Sequence, residues 1–405
     1  MQQRAGAILA FLIFAIVLTV GLVQPEGLLW SWDLLGVPRM PPPNPRFTDT
    51  ISVTHSIDCL RAGFDPYRTG QCDPWGRMFN YPPVWLELRH LGVSSAATDV
   101  IGVSMALLAA GALLMILRAT TPVGGALVIL AILSPAVMFG IERGNVDVFL
   151  FSCLAFGLAI THRMGPASRW LARGGLVAVL AVLKAYPIAA CIILVRQAGW
   201  RWAPAIAAGL ISLLLFVVVS RNHLAFIFSN TPLTSYYSFG AAPLFLDLAD
   251  WVGVPEESRT AMRWLGVGAA FVLGLAAAGL GMRLSQGAPT LLLPALRRGT
   301  FRDDLCLACL AIFCFSFLLG SNFNYRLIFL LGALPRMIEA LEGRRQWRLV
   351  VLPSLVIALL WAVRLPAWAA HSANWIVYLI SCAWLGTILP QMEAARVKRP
   401  EPHGV

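Results

Sequence analysis

The sequence predicts an all-α, polytopic integral membrane protein: a single multi-pass domain over residues 1–405, with about 11–12 transmembrane helices and a long first extracytoplasmic loop. Three observations predict it. Hydrophobic residues make up 58% of the chain and charged residues only 13%, more apolar than an ordinary soluble domain. Apolar blocks recur from one end to the other, most of them long enough for a helix to cross about 30 Å of hydrocarbon. The basic residues gather in the short loops between blocks, the bias that marks cytoplasmic loops.

Taken in order, the blocks fall at 7–23, 99–117, 121–140, 146–162, 174–195, 203–220, 264–282, 304–320, 325–338, 349–363 and 373–389, with a weaker segment at 81–96. Only Arg4 precedes the first block as a charge, and Gln24-Pro25-Glu26 follows it where a cleavage site would need small residues. It reads as an uncleaved anchor. Arg163, Arg169 and Arg173, then Arg297, Arg298 and Arg302, then Arg344, Arg345 and Arg348, and last Arg396, Lys398 and Arg399 place those loops and both termini on the cytoplasmic side of a cell inner (plasma) membrane. The net charge of +11 therefore belongs to a membrane face beside lipid headgroups and implies no nucleic acid.

The long polar segments 24–80 and 221–262 then face outward. They hold most of the acids, among them Asp33, Asp49, Asp58, Asp65, Asp73, Asp247, Asp250, Glu256 and Glu257. A connection as long as 24–80 is functional or disordered more often than it is a plain link. Here Met40-Pro41-Pro42-Pro43-Asn44-Pro45 stiffens it, and residues 49–62 read as a short helix that Gly63 and the Asp65-Pro66 turn end. Cys59 and Cys72, the only cysteines in the outer loops, have the position for a disulfide in an oxidising compartment, or stay free. Cys153, Cys191, Cys306, Cys309, Cys314 and Cys382 lie in apolar blocks as packing residues; the Cys306/Cys309 spacing lacks a second pair or a His for zinc. Segment 221–262, with Tyr236-Tyr237, is a lid-like loop. Trp30, Trp32, Trp75, Trp85, Trp251 and Trp264 suit an interfacial aromatic belt.

The chain's path over 81–195 has two readings. In one, 81–96 lies on the surface and 174–195 is a re-entrant hairpin with Lys184 near its tip. In the other, both segments cross and the Arg163 to Arg173 loop falls on the wrong face. Lys184 stands between apolar runs, with Pro187 three residues on. A Lys at membrane depth marks a functional site unless it snorkels, and a Pro break there is tolerated only against protein or water. Arg143 and Arg326 are further cations at the ends of apolar blocks, with Asp147 the expected structural partner of Arg143. Asp49 and Asp58 are within reach of each other in space if the loop folds to join them.

The ordered set Asp49, Gly63-Phe64-Asp65-Pro66-Tyr67, Asn80-Tyr81-Pro82-Pro83, Arg143-Gly144-Asn145-Val146-Asp147, Leu183-Lys184-Ala185-Tyr186-Pro187 and Asn324-Tyr325-Arg326 resembles the membrane glycosyltransferases of family 87, once a domain of unknown function, within the type-C superfamily. The Arg-Gly-Asn and Lys-x-Tyr-Pro elements also resemble the catalytic subunit of GPI mannosyltransferase I. The resemblance spans most of the chain. It implies a type-C-like fold and transfer of a hexose, with mannose the expected sugar, from a polyprenyl-phosphate donor to a lipid or glycan acceptor, with no cofactor and no divalent metal required.

Carried onto this sequence, the resemblance makes Asp49 the catalytic base, with Asp58 as its rival; Lys184, Arg143 and Arg326 the groups on the donor phosphate; and Asn145, Asp65, Tyr67, Tyr81, Tyr186 and Tyr325 the substrate-binding residues. The chemistry is coherent: an inverting transfer needs a carboxylate at the acceptor hydroxyl and cations at the leaving phosphate. One departure stands out, since many members carry His in the late loop where this chain reads Ser321-Asn322-Phe323-Asn324. His55 and His223 are isolated. A transporter or flippase of a lipid-linked or anionic solute is the alternative, because it too places a cation on a broken helix at depth; the halves of the chain, however, carry no evident repeat.

Overall fold

The computed structural model describes residues 46–198, 238–287, 300–319, 322–344 and 350–388, together with Leu12, Ala15, Ile16, Thr19 and Phe226. Apart from those four residues of 7–23, the expected spans 7–23 and 203–220, the Pro-rich run before Arg46, Trp30, Trp32 and His223 lie outside the described residues. The described chain is mostly helical, and its strands form one two-residue ladder. In order the helices are α1 (Thr48–Arg61), α2 (Thr98–Ile116), α3 (Pro122–Ile132), α4 (Pro135–Glu142), α5 (Val146–Thr161), α6 (Pro166–Leu183), α7 (Ile192–Ala198), α8 (Ala242–Trp251), α9 (Arg259–Gly287), α10 (Phe301–Leu318), α11 (Leu334–Arg344), α12 (Val351–Leu360) and α13 (Ala367–Gly386). Tight 3-10 stretches run over Pro83–Leu91, Tyr186–Cys191 and Asn324–Gly332. Strands β1 (Ser238–Phe239) and β2 (Asn322–Phe323) pair antiparallel, Ser238 opposite Phe323.

Proline punctuates this pattern. It opens α3, α4 and α6, where its missing N–H is no loss. Thr121 caps α3 through Gly124 N at 3.1 Å, Asn145 caps α5 through Asp147 N at 2.8 Å, and Thr300 caps α10 through Asp303 N at 3.2 Å, each satisfying an orphan donor.

Three stretches are long and apolar enough to cross a membrane, Ser95–Ile116, Pro166–Leu183 and Glu256–Ser285. The α3–α4 pair, bent by 41°, makes a fourth if taken as one span. The sequence leads one to expect 11–12; among the described residues Val146–Thr161 and Val351–Leu360 are shorter apolar helices, while Phe301–Leu318 and Ala367–Gly386 run unbroken for 18 and 20 residues. The weaker segment at 81–96 is nine residues of 3-10 helix, about 18 Å at 2 Å per residue, too short to cross.

The two readings of 174–195 separate clearly. The chain doubles back: Arg173 on α6 and Arg196 on α7 reach the same Asp304 carboxylate, at 2.7 and 3.4 Å. These residues stand eleven and twelve positions either side of Lys184, so the segment is a hairpin with Lys184 at its tip. α6 ends one residue before it, and Trp85 Nε1 donates to the freed Leu183 carbonyl at 2.9 Å. Trp85 is therefore a buried cap, not a belt residue, whereas Trp251 and Trp264 are exposed and suit the belt.

The core runs through α5, α10 and the Asn324–Gly332 stretch, where Phe151, Phe313, Phe317 and Phe329 are fully enclosed. Helix α1 docks on this body through its start. Phe47 takes the left-handed backbone at φ 56°, a strain of about 1–3 kcal/mol, its N–H bonded to Glu142 O at 3.0 Å. Its ring lies where a side chain on Gly102 would have to be, 2.2 Å from an added Cβ. Cys59 and Cys72 are disulfide-bonded, closing the loop after α1.

Gly144, at φ 56° with Thr50 Oγ1 2.3 Å from an added Cβ, admits no side chain, while Gly175 in α6 has open space around it. Gly144→Ala is expected to destabilise the protein by about 2 kcal/mol or more, and Gly175→Ala to be neutral or slightly stabilising; thermal unfolding in detergent, read as Tm, checks both.

Candidate functional site

The Arg143–Asp147 turn organises the site. Arg143 closes α4, Gly144 reverses the backbone, and Asn145 caps α5. This turn receives the start of α1: Asp49 N donates to Arg143 O at 2.9 Å and Thr50 Oγ1 to Gly144 O at 2.9 Å. The Arg143 guanidinium then forks onto Asp49, Nε to Oδ2 at 3.0 Å and Nη2 to Oδ1. Asn145 Nδ2 donates to the same Oδ2. Both Asp49 oxygens are engaged and the residue is buried, yet Oδ1, with one bond, keeps an acceptor position. Burial pushes the Asp49 carboxyl up, and Arg143, Arg77 and Asn145 outweigh it, so the group lies below the usual carboxylate range.

The second half of the site is built on Asp147, in the first turn of α5. Lys184 Nζ donates to its Oδ1 at 2.5 Å, Tyr186 Oη to Oδ1 at 2.7 Å, and Arg326 Nε to Oδ2 at 3.0 Å. Arg326 also stacks on Tyr186, 4.3 Å from the ring centroid, and holds the Asn322 side chain. Lys184 faces the Tyr81 and Tyr186 rings at 5.6 and 5.7 Å. Its ammonium is turned inward onto Asp147 and does not snorkel. Asn145 links the halves, with Nδ2 on Asp49 and Oδ1 on the Asp147 N–H.

One expected pairing is corrected. Asp147 is not the partner of Arg143: Asn145 starts a new helix between them, which turns the Asp147 carboxylate toward Lys184 and Arg326 and leaves Arg143 to Asp49. Nor do Asp49 and Asp58 meet. Nine residues apart on one helix, they stand two and a half turns and about 13 Å apart on opposite faces. Asp58 accepts from Ser95 N at 2.8 Å and Arg61 Nη1 at 3.2 Å near the surface. Asp65 is likewise outside the cluster, bonded to Tyr67 N at 3.0 Å in an exposed turn. Tyr67 serves from behind, its hydroxyl donating to Tyr81 O at 2.7 Å, and Tyr325 is buried between Phe139 and Phe323 at 5.8 and 5.5 Å.

Sequence reasoning missed a third group. Arg77 donates twice to Asp73, Nε to Oδ1 at 3.0 Å and Nη2 to Oδ2 at 2.7 Å, and Ser52 Oγ joins Asp73 Oδ2 at 2.6 Å. Trp75, expected in the belt, lies under both guanidiniums, Arg77 at 4.6 Å and Arg143 at 5.3 Å. The Asp73/Arg77 spacing of four, with Trp75 between, was the available signal. The whole assembly sets Arg77, Arg143, Lys184 and Arg326 against Asp49, Asp73 and Asp147, with the Glu142 carboxyl beside Arg143 as a fourth acid. Arg143 Nη1 is buried with no partner.

The chain matches no protein-family model, no curated protein and no solved structure. Among the described residues, no group of three or more His, Cys, Asp or Glu is gathered to hold a metal ion.

Asp147→Asn strands two half-buried cations and is expected to destabilise by about 3 kcal/mol; adding Lys184→Met recovers part of that loss, giving a coupling above about 1 kcal/mol in a double-mutant cycle of unfolding in micelles. For Asp49, whose folded pKa is depressed, the stabilisation is complete above the unfolded carboxylate value of about 3.9 and is lost as pH falls through the lower folded value. Unfolding of wild type and Asp49→Asn across that acid range should therefore converge as pH drops; a constant gap overturns the assignment.

Proposed function

We propose that the chain is a polytopic, multi-pass glycosyltransferase of the inner (plasma) membrane, of the family 87 type, which moves a hexose from a polyprenyl phosphate to a lipid or glycan acceptor on the outer face. One observation carries the reading. The motif residues Asp49, Arg143, Asn145, Asp147, Lys184, Tyr186 and Arg326, spread over some 280 positions, come together in one ion-pair cluster. The Cys59–Cys72 disulfide suits an oxidising outer compartment for α1, and the basic loops suit cytoplasmic termini.

In this reading the acceptor hydroxyl oxygen attacks the anomeric carbon and its proton passes to Asp49 Oδ1. The bond from that carbon to the phosphate oxygen breaks with its electron pair, and polyprenyl phosphate leaves with the configuration inverted. The low proton affinity of Asp49 makes it a modest base, so the step leans on the leaving group. The gathered cations and the unpartnered Arg143 Nη1 suit a phosphate oxygen, and Lys184, with two ammonium protons not engaged by Asp147, suits another. Asp58, on the opposite face of α1, has no part in it. A transporter of a lipid-linked solute would share the broken helix at Lys184, but would leave the tight docking of Asp49 onto Arg143 without a role.

Membranes containing the chain are expected to transfer label from polyprenyl-phosphate mannose to endogenous acceptors, Asp49→Asn to lose at least about a hundredfold in rate, and Asp58→Asn to keep it at matched protein level. No transfer from wild type with mannose, glucose or arabinose donors would put the transporter ahead.

A further inference from the structure

One acid beside the cluster takes no part in its pairing. Among the described residues, Asp99, Glu142 and Glu257 are the carboxylates with no hydrogen bond or ion pair; Asp99 and Glu257 are exposed, whereas Glu142 is partly buried. Its place follows from the docking of α1. Phe47 N donates to Glu142 O at 3.0 Å, Asp49 N to Arg143 O at 2.9 Å and Thr50 Oγ1 to Gly144 O at 2.9 Å. The start of α1 thus runs in step along the end of α4, and the Glu142 carboxyl comes close enough to interact with both Arg143 and Asp49. Its oxygens are not sealed in as Arg143 Nη1 is, and they open on the surface.

Asp49 gains from such a neighbour. A proton taken up on its Oδ1 cancels the charge that faces the buried Arg143 guanidinium, and a buried ion left without its counter-charge is costly. The protonated state is therefore short-lived. At 4% exposure, Asp49 also has little water of its own to which the proton could return. Glu142 removes both difficulties: a proton on it breaks no hydrogen bond, leaves the fork of Arg143 on Asp49 intact and stands where surface water reaches.

We propose that Glu142 is the proton relay of the site, taking from Asp49 the proton that the acceptor hydroxyl gives up. The acceptor oxygen bonds to the anomeric carbon as its proton moves to Asp49 Oδ1, and polyprenyl phosphate leaves with the electron pair of the broken bond. The proton then passes to Glu142 and from there to water, which returns both residues to carboxylates for the next turnover. The relay rests on the transferase reading and adds to it how the base is reset.

The test is label transfer from polyprenyl-phosphate mannose in detergent-permeabilised membranes at matched protein level. Glu142→Gln is expected to lose at least about tenfold in rate, with an apparent KM for the donor within about twofold of wild type. Imidazole, a small diffusible base, should restore part of that rate as its concentration rises and leave wild type unchanged. Glu142→Asp keeps a carboxylate and should retain most of the rate; Glu87→Gln, exposed on the Pro83–Leu91 stretch, should retain all of it. Because the Glu142 carboxylate has no bond to lose, the purified Glu142→Gln chain should unfold in micelles at or near the wild-type Tm. A wild-type rate in Glu142→Gln, or a loss that imidazole does not relieve, overturns the relay and leaves the transferase standing. No transfer by wild type from mannose, glucose or arabinose donors overturns both.

Discussion

The Asp147 carboxylate is the point on which the rest of the structure turns. A bare carboxylate enclosed at the start of an apolar helix would be costly by several kcal/mol. Lys184, Tyr186 and Arg326 relieve that cost from two other parts of the chain. In return the carboxylate holds the tip of the α6–α7 hairpin and the Asn324–Gly332 stretch against α5. Neither segment is a regular α-helix at the contact: α6 stops at Leu183, and Asn324–Gly332 is 3-10. Both give up regular backbone where a cation has to be aimed.

Asp49 extends the same logic to α1. It reaches the body through two backbone hydrogen bonds at its own turn and a fork from Arg143, with the strained Phe47 wedged on Gly102. Strain of this kind persists only where the surroundings over-determine it. The two carboxylates therefore differ in kind. Asp147 is fully engaged with cations and holds position, whereas Asp49 keeps an acceptor position on Oδ1 and sits at the end of an element that docks from outside.

Some of this was legible in the residues. The turn signals at Gly63 and Asp65-Pro66 bounded α1 to within a residue at each end, and the two outer cysteines found each other. The motif residues Asp49, Arg143, Asn145, Lys184, Tyr186 and Arg326 do converge. What could not be read was which cation faces which acid, because the partners are set by where Asn145 restarts the helix, a matter of angle and not of spacing. Asp73, Arg77 and Ser52 escaped for a different reason: polar residues in a polar loop carry no contrast. Where proline or a tight 3-10 turn interrupts an apolar block, as at Tyr186–Cys191 and Asn324–Gly332, composition gives no sign, because it records only that the block is apolar.

The pinning of Arg173 and Arg196 to one Asp304 has a consequence for how the chain tolerates change in length. With both feet on a single anchor, the hairpin acts as a strut of fixed height, and the Lys184 ammonium stands where the count of residues in each arm puts it. Removing one residue from the α6 arm between Arg173 and Lys184 would lower the tip by about 1.5 Å and rotate it by about 100°, carrying the ammonium off Asp147 without altering any side chain of the site. The reach of the charge is thus written in the length of two arms, and insertions or deletions there are less tolerable than most substitutions.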